Sequence, residues 1–149
     1  MSYQKLRTGR LSEPGRAYFI TTVTQHRIPL FYDLYCARVV INNMRRIHID
    51  AWVESLSWVV MPDHVHWLFQ LTDKKNLSVV VKYFKARTAQ QLNKKLNRSG
   101  RLWQKAFYDR AIRDGEDLRQ IARYIVANPL RADLVENIED YPHWDACWL

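Results

Sequence analysis

Cysteine is scarce in this chain. Its 149 residues contain two cysteines, Cys36 and Cys147, and their wide separation fits neither the paired spacing of a zinc site nor a redox motif. We therefore expect reduced thiols in an intracellular protein and no structural zinc.

Long hydrophobic runs are also absent. A typical apolar stretch covers residues 58–61, whereas a membrane-spanning helix needs about 20 apolar residues. The N-terminus lacks the hydrophobic core of a signal peptide, and the sequence shows no repeat, low-complexity segment or linker. We expect a single domain over residues 1–149 that buries roughly 68–70% of its unfolded surface. Its expected location is the cytoplasm, with no membrane partner.

Positive charge is in excess. The formal net charge is +8, and Phe, Trp and Tyr make up 13% of the residues. A basic protein associates with polyanions, and aromatic rings beside lysine and arginine suit base stacking in an electropositive groove. Nucleic acid is therefore the expected partner. A basic protein without this partner would have the same charge, and most of the rings also fit a core.

Hydrophobic periodicity predicts alternating short strands and helices. The strand patterns cover residues 16–24, 51–60, 64–71 and 105–112. Helices are predicted after Asp33, over 77–98 with Ser78 as N-cap, and over 114–128 with Asp114 as N-cap. The short connection at 61–63 requires antiparallel pairing of its two strands. This order predicts an α+β fold with a ferredoxin-like (RRM-like) antiparallel sheet and helices packed mainly on one face.

Two histidines flank one valine in the stretch MPDHVHWLF, residues 61–69. Alternate residues of a strand share a face, so His64 and His66 project together while the intervening apolar residues face the helices. On the opposite face of a one-sided sheet, two imidazoles can share one divalent ion. His-x-His also occurs by chance on exposed strands, however, and two nitrogens do not complete a coordination shell.

The last predicted helix carries another polar pair. Its apolar stripe leaves Tyr124 and Asn128 on one flank, because four residues make about one helical turn. Tyr124 therefore does not fit an ordinary core tyrosine. An asparagine before a proline is common at a helix end, so the spacing alone leaves the role of Asn128 open.

Four stretches together carry a family resemblance. They are PGRAYFITTVTQHRIPLF, WVVMPDHVHWLF, GRLWQKAFYDRAIRDGEDLRQIARYIVANPLRADLV and the closing YPHW. In this order, over about residues 10–145, they resemble the REP-associated tyrosine transposases. That family belongs to the single-tyrosine (IS200-like) group of the HUH nuclease superfamily. The His-x-His motif is unspecific by itself, whereas the combination is specific.

The resemblance implies a ferredoxin-like nuclease core that acts on single-stranded or hairpin (REP-like) DNA at the bacterial nucleoid. The HUH pair matches His64 and His66, the nucleophile matches Tyr124, and Asn128 falls where relatives place a third metal ligand. We expect these ligands to hold Mg²⁺ or Mn²⁺ as a Lewis acid. Tyr124 would attack a phosphodiester and form a 5′-phosphotyrosine and a 3′-OH, which can then be religated. Recognition residues in the longer C-terminal tails of relatives cannot be transferred to this chain.

Some properties stay open at the level of sequence. A phenol with a pKa of about 10 is mostly protonated at neutral pH, so a base or cation must assist Tyr124. No base can be assigned, and Arg123 and Arg131 could assist by charge or be plain surface residues. The DNA sequence recognised, the choice between monomer and homodimer, and whether the active site is shared between subunits are open as well. So is the choice between DNA mobilisation and a cellular role.

Basic and aromatic residues are candidate DNA contacts; they are Lys5, Arg7, Arg10, Lys82, Lys85, Trp103 and Lys105. Two alternative functions remain. A non-catalytic RRM-like module for single-stranded nucleic acid would expose aromatic rings on the central strands, where His64 and His66 stand. A metal nuclease that uses water would make Tyr124 dispensable.

Overall fold

The computed structural model describes residues 12–148 of the chain. Its strands are β1 (Ala17–Val23), β2 (Val53–Val60), β3 (His64–Leu71), β4 (Tyr108–Ala111) and β5 (Trp144–Ala146). Its α-helices are α1 (Leu34–Ile49), α2 (Leu77–Lys95), α3 (Leu118–Val126) and α4 (Asn128–Arg131). Short 3-10 turns cover Gln25–Arg27, Leu30–Tyr32 and Ile138–Asp140.

The strands form one antiparallel sheet in the order β4-β1-β3-β2-β5. The first four have the ferredoxin-like arrangement that the sequence predicts, and β5 extends the sheet beyond β2. The connection at 61–63 forms the predicted hairpin, in which Val60 lies opposite Val65. On the other side of β3, Thr21 of β1 lies opposite His66. The strand with both histidines is therefore at the centre of the sheet.

The larger core lies between the sheet and helices α1 and α2. Alternate residues of β3 point into it, and Val65, Trp67, Phe69 and Leu71 are each at most 2% exposed. Burial of an apolar side chain of this size contributes about 1.5–3 kcal/mol. The register of β3 is therefore strongly fixed, because a slip by one residue would turn the two histidines into this core.

A smaller core lies on the opposite face of the sheet. Helix α3 packs there against β2, β3 and β5, and its Ile125 is buried in one cluster with Leu68 of β3. The predicted fold class is confirmed, with both long helices on one face. The histidine face is partly covered by α3 rather than open. This helix brings Tyr124 to the face that carries His64 and His66.

Two helix starts differ from the prediction. Helix α2 begins after Asn76, whose side chain accepts a hydrogen bond from the Val79 amide at 2.9 Å. Helix α3 begins after Asp117, whose carboxylate accepts two amide hydrogen bonds from the first turn, and not after Asp114. An N-cap needs extended backbone angles, and Ser78 already lies inside the helix.

Other boundaries also differ. Strand β4 covers Tyr108–Ala111 and is shorter than the predicted 105–112. Before it, Trp103 forms an isolated bridge with Thr24, just beyond the end of β1. Helix α3 ends at Val126, and Asn128 begins the separate helix α4. Strand β5 was not predicted, since three residues are too few to show a period. Within residues 12–148, no helix is both long and apolar enough to cross a membrane.

Candidate active site

His64 and His66 lie side by side on β3. Their ring centroids are 4.8 Å apart and the ring planes are inclined by 75°. Both residues are half-buried. The strand period therefore predicts their shared face correctly, and the two rings are close enough to act on one ligand.

Each imidazole is held through its Nδ1 atom. His64 Nδ1 lies 2.7 Å from Asp63 Oδ1, and His66 Nδ1 lies 2.7 Å from Thr21 Oγ1. A carboxylate only accepts hydrogen bonds, so the His64 ring donates from Nδ1, and the Thr21 hydroxyl can accept in the same way from His66. Metal-binding histidines usually have such an anchor on the second nitrogen. The Nε2 atoms of both rings are thereby the nitrogens that could bind a metal.

Asp63 is engaged at both of its oxygens. Its Oδ2 atom lies 3.1 Å from Arg27 Nη1, and Oδ1 meets His64. Burial would raise the pKa of Asp63, but the hydrogen bonds and charges of His64 and Arg27 outweigh it and lower this pKa. The charged carboxylate is therefore better suited to anchor His64 than to bind a metal itself.

His66 is held in its neutral form. Burial, together with the charges of His64 and Arg131, lowers the pKa of His66 from 6.5 to about 3. Phe19 packs edge-on against the ring with centroids 5.3 Å apart. Because neutral imidazole is the form that binds metals, His66 is in its ligating form at pH 7.

Tyr124 lies on α3, the helix packed on the sheet face that carries the histidines, and Asn128 begins α4 directly after it. Tyr124 is 58% exposed, although Ile125 beside it is fully buried. Asn128 lies one turn later, and its Nδ2 donates to the Ile125 carbonyl at 2.9 Å. The Oδ1 atom of this amide is therefore the one left to bind a cation.

The available donors fit a divalent cation. Residues 12–148 contain no cluster of three or more His, Cys, Asp or Glu side chains that could hold a metal. A third protein ligand would therefore be of another type, as the amide of Asn128 is. Two imidazole nitrogens and one amide oxygen suit a divalent ion that keeps further positions for oxygen ligands.

Arg131 connects the Tyr124 helix with the histidines. Its guanidinium carbon lies 3.9 Å from the centroid of the Tyr124 ring, and its Nη2 donates to the Tyr124 carbonyl at 2.7 Å. Its charge contributes to the low pKa of His66. Tyr124, Arg131 and the histidine pair therefore lie in one region.

The predicted DNA contacts have different placements. Lys5, Arg7 and Arg10 lie outside the described residues. Lys82 and Lys105 are both exposed. Lys82, however, lies in the first half of α2 next to Tyr83, which packs on Trp52 at the opposite end of β3 from His64, so it is not next to the site.

Lys85 and Trp103 have structural partners. Lys85 Nζ donates to the carbonyl oxygens of Gln104 and Lys105 at 2.7 and 3.2 Å. Trp103 is 2% exposed, and its indole donates to Thr88 Oγ1 at 2.8 Å. This placement corrects the expectation for Trp103, because a base cannot stack on a ring that is enclosed in the core.

An exposed aromatic surface at the start of β3 was missed from the sequence. It contains Tyr32 and Tyr35, which are 69% and 47% exposed, and Lys95, whose Nζ lies 5.2 Å from the Tyr35 ring centroid. We call these three residues the tyrosine rim. The turn before α1 is tied to the β2–β3 connection, since Phe31 N donates to Pro62 O at 2.9 Å. The signal in the sequence is the two tyrosines on either side of Asp33, where a helix is predicted to begin.

The fold is the one that the family resemblance implies. A family model described as "Transposase IS200 like" matches residues 15–128. This match covers more than half of the sequence, so the chain belongs to the IS200-like transposase family, whose members are enzymes that act on DNA.

Individual relatives agree with this family. The chain is 29% identical over 143 residues to a candidate REP-associated tyrosine transposase of Haemophilus influenzae. That alignment covers 87% of this chain and 78% of the relative. It is 25% identical over 130 residues to a REP-associated tyrosine transposase of Escherichia coli K12, with 86% and 74% covered. A solved REP-associated tyrosine transposase bound to a REP hairpin has a TM-score of 0.76 at 23% identity, over 91% of this chain and 79% of that one. This structural likeness shows a common fold.

Proposed function

We propose that the protein is a metal-dependent, single-strand-specific DNA endonuclease and strand transferase with Tyr124 as its nucleophile. The observation that carries this proposal is the pairing of two anchored imidazoles with an exposed phenol on a helix packed against their strand. Ile125 secures that helix to the sheet, while Tyr124 stays accessible to a substrate.

The metal ligands in this proposal are His64 and His66 through Nε2 and Asn128 through Oδ1. They would hold Mg²⁺ or Mn²⁺, which supplies Lewis-acid polarisation of the scissile phosphate when bound. Imidazole nitrogen is a softer donor than the oxygens that Mg²⁺ prefers, so we expect Mn²⁺ to bind more tightly than Mg²⁺. Asp63 and Thr21 keep the two rings turned for ligation.

The proposed reaction conserves the energy of the broken bond. The phenolic oxygen of Tyr124 loses its proton and forms a bond to the phosphorus, while the bond from phosphorus to the 3′ oxygen breaks. The leaving oxygen takes up a proton and becomes a 3′-OH, and the downstream strand stays attached as a 5′-phosphotyrosine. A 3′-OH from another strand can reverse this attack, so the strands are joined without ATP.

Hairpin DNA with a single-stranded flank is the proposed substrate. The solved relative is bound to a REP hairpin, and a net charge of +8 favours a polyanion. The tyrosine rim lies at the end of the sheet where the histidine strand begins. Unpaired bases next to the scissile phosphate can stack there, with Lys95 close to the backbone.

The alternative functions fit the structure less well. An RRM-like binding module presents aromatic rings on its central strands, but in the described part of the chain β1 and β3 carry no exposed aromatic residue. A hydrolytic nuclease would share the metal and the DNA, yet it would have no use for Tyr124.

Covalent capture separates these activities. Wild-type protein with a REP-like single-stranded hairpin and Mn²⁺ should form a denaturant-stable protein–DNA adduct, and EDTA should prevent it. Tyr124→Phe should form none, because it lacks the phenolic oxygen. Tyr83→Phe is the matched control, since Tyr83 is an exposed tyrosine on α2, and it should react like wild type. Cleavage without an adduct, or an adduct in Tyr124→Phe, would contradict the proposal.

A further inference from the structure

Tyr124 needs a partner that orients it. Its side chain is 58% exposed, and an exposed tyrosine on a helix can change rotamer within nanoseconds. Arg131 is a residue that contacts its ring. An attacking oxygen must meet the phosphorus along one line, so an unrestrained ring would be in position only part of the time.

Arg131 holds Tyr124 in two places. The guanidinium carbon lies 3.9 Å from the ring centroid, which is a close stacked cation–π contact. The same guanidinium donates from Nη2 to the Tyr124 carbonyl at 2.7 Å. The bond to the main chain fixes where the guanidinium lies, and the flat group then limits the positions open to the ring.

The local backbone makes this contact possible. Helix α3 ends at Val126, and the chain continues through Ala127 into α4, which has Pro129 in its first turn. Arg131 ends α4 and is thereby returned to the Tyr124 side of the helix end. The fixed φ of a proline pre-organises such a turn.

We propose that Arg131 is a positioning residue for Tyr124, which acts by stacking its planar guanidinium on the nucleophile's ring. This inference rests on the proposed function of Tyr124. A residue that only capped α3 would need a donor to the carbonyl but no flat group against the ring. Lysine supplies a positive charge and a hydrogen-bond donor but no planar group. A lysine at this position could therefore replace arginine as a cap for the Tyr124 carbonyl, but not as a stacking partner of the ring.

The rate of strand cleavage at saturating hairpin DNA and Mn²⁺ tests this inference. Arg131→Ala should lower the rate constant by about 10- to 100-fold, the effect of a small misplacement of a reacting group. The DNA dissociation constant should change by less than about threefold, because the substitution removes at most one contact to a DNA phosphate. Arg131→Lys should recover only part of the rate. Arg119→Ala is the matched control, because Arg119 lies on the same helix near Cys147, and it should cleave like wild type.

A second readout does not depend on catalysis. In a stacked pair the ring current of Tyr124 should shift the side-chain protons of Arg131 upfield, and Tyr124→Leu should abolish this shift in the NMR spectrum of the full chain. A wild-type cleavage rate in Arg131→Ala would overturn the inference, and so would full recovery in Arg131→Lys or the absence of the upfield shift. Failure of the proposed function would look different, as wild type itself would form no Tyr124 adduct.

Discussion

Asp63 lies in the turn before β3 and holds the imidazole of His64. Its carboxylate accepts from His64 Nδ1 at 2.7 Å and pairs with Arg27 at 3.1 Å. The negative charge makes the imidazole a stronger ligand and fixes its orientation. In the proposed function, Asp63 would thus set the metal affinity of the site without binding the metal itself.

Replacement of this carboxylate should weaken metal binding. Asp63→Ala should lower the affinity for Mn²⁺ by about 10- to 100-fold, the usual cost of losing the hydrogen-bond partner of a ligating histidine. Isothermal titration with Mn²⁺ measures it. Asp73→Ala removes an exposed carboxylate beyond the other end of β3 and should bind Mn²⁺ like wild type. Equal affinities in the two variants would show that Asp63 has no such role.

At the scale of the element, α3 is short for a helix that carries the proposed nucleophile. It has nine residues, and isolated helices shorter than about 12–15 residues are marginal in water. Its stability therefore depends on packing and capping. Ile125 supplies the packing, and Asp117 supplies the cap with hydrogen bonds to the Arg119 and Gln120 amides at 3.0 and 3.3 Å.

The cap gives a test of the helix start. Asp117→Ala should lower the free energy of unfolding by about 1 kcal/mol, within the range for lost N-caps. Asp114→Ala, in the preceding turn, should change it by less than about 0.5 kcal/mol. Urea denaturation of both variants measures the difference. If Asp114→Ala lowered the free energy of unfolding more than Asp117→Ala, the helix would begin after Asp114, as the sequence pattern predicts.

The elements themselves could be predicted from periodicity, and their limits could not. A stripe of apolar residues shows which side of a helix is buried, but not against which face of a sheet, so the position of α3 beside the histidines came only from the structure. Several polar residues near a helix start can accept the same hydrogen bonds, and the backbone angles decide between Asn76 and Ser78. Strand β5 is too short to leave a pattern.

Some residues of the candidate site could be predicted from the sequence, and others could not. His64, His66 and Tyr124 follow from local spacing and the family resemblance. Thr21 and Arg131 depend on contacts between distant segments, such as the register that sets Thr21 opposite His66. A tryptophan in a basic segment has the same appearance in sequence whether it is buried or exposed, which is why Trp103 was assigned to DNA wrongly.

At the scale of the whole molecule, the rings of the tyrosine rim should hold the single-stranded flank of the DNA. Removal of one stacking ring costs about 1–3 kcal/mol per base. We therefore expect Tyr35→Ala to weaken binding of a flanked hairpin at least about fivefold, as measured by fluorescence anisotropy at fixed salt.

One control protein and one control DNA test whether the loss of affinity comes from base stacking on the rim. Tyr83→Ala removes an exposed ring that packs on Trp52, at the opposite end of β3 from the rim, and should leave the affinity unchanged. A blunt hairpin without the single-stranded flank should bind wild type and Tyr35→Ala equally. Equal affinity of both proteins for the flanked hairpin would exclude the rim as a base-stacking surface.

The most direct test of the account is to find which residue carries the DNA, and through which end. A hairpin labelled at its 3′ end should transfer its label to the protein in Mn²⁺, whereas a 5′ label should be released. After nuclease and trypsin digestion, mass spectrometry should place the residual nucleotide on the peptide that follows Arg123 and ends at Arg131, whose one tyrosine is Tyr124. A nucleotide on any other residue, transfer of the 5′ label, or cleavage that leaves no linked peptide would contradict the central claim.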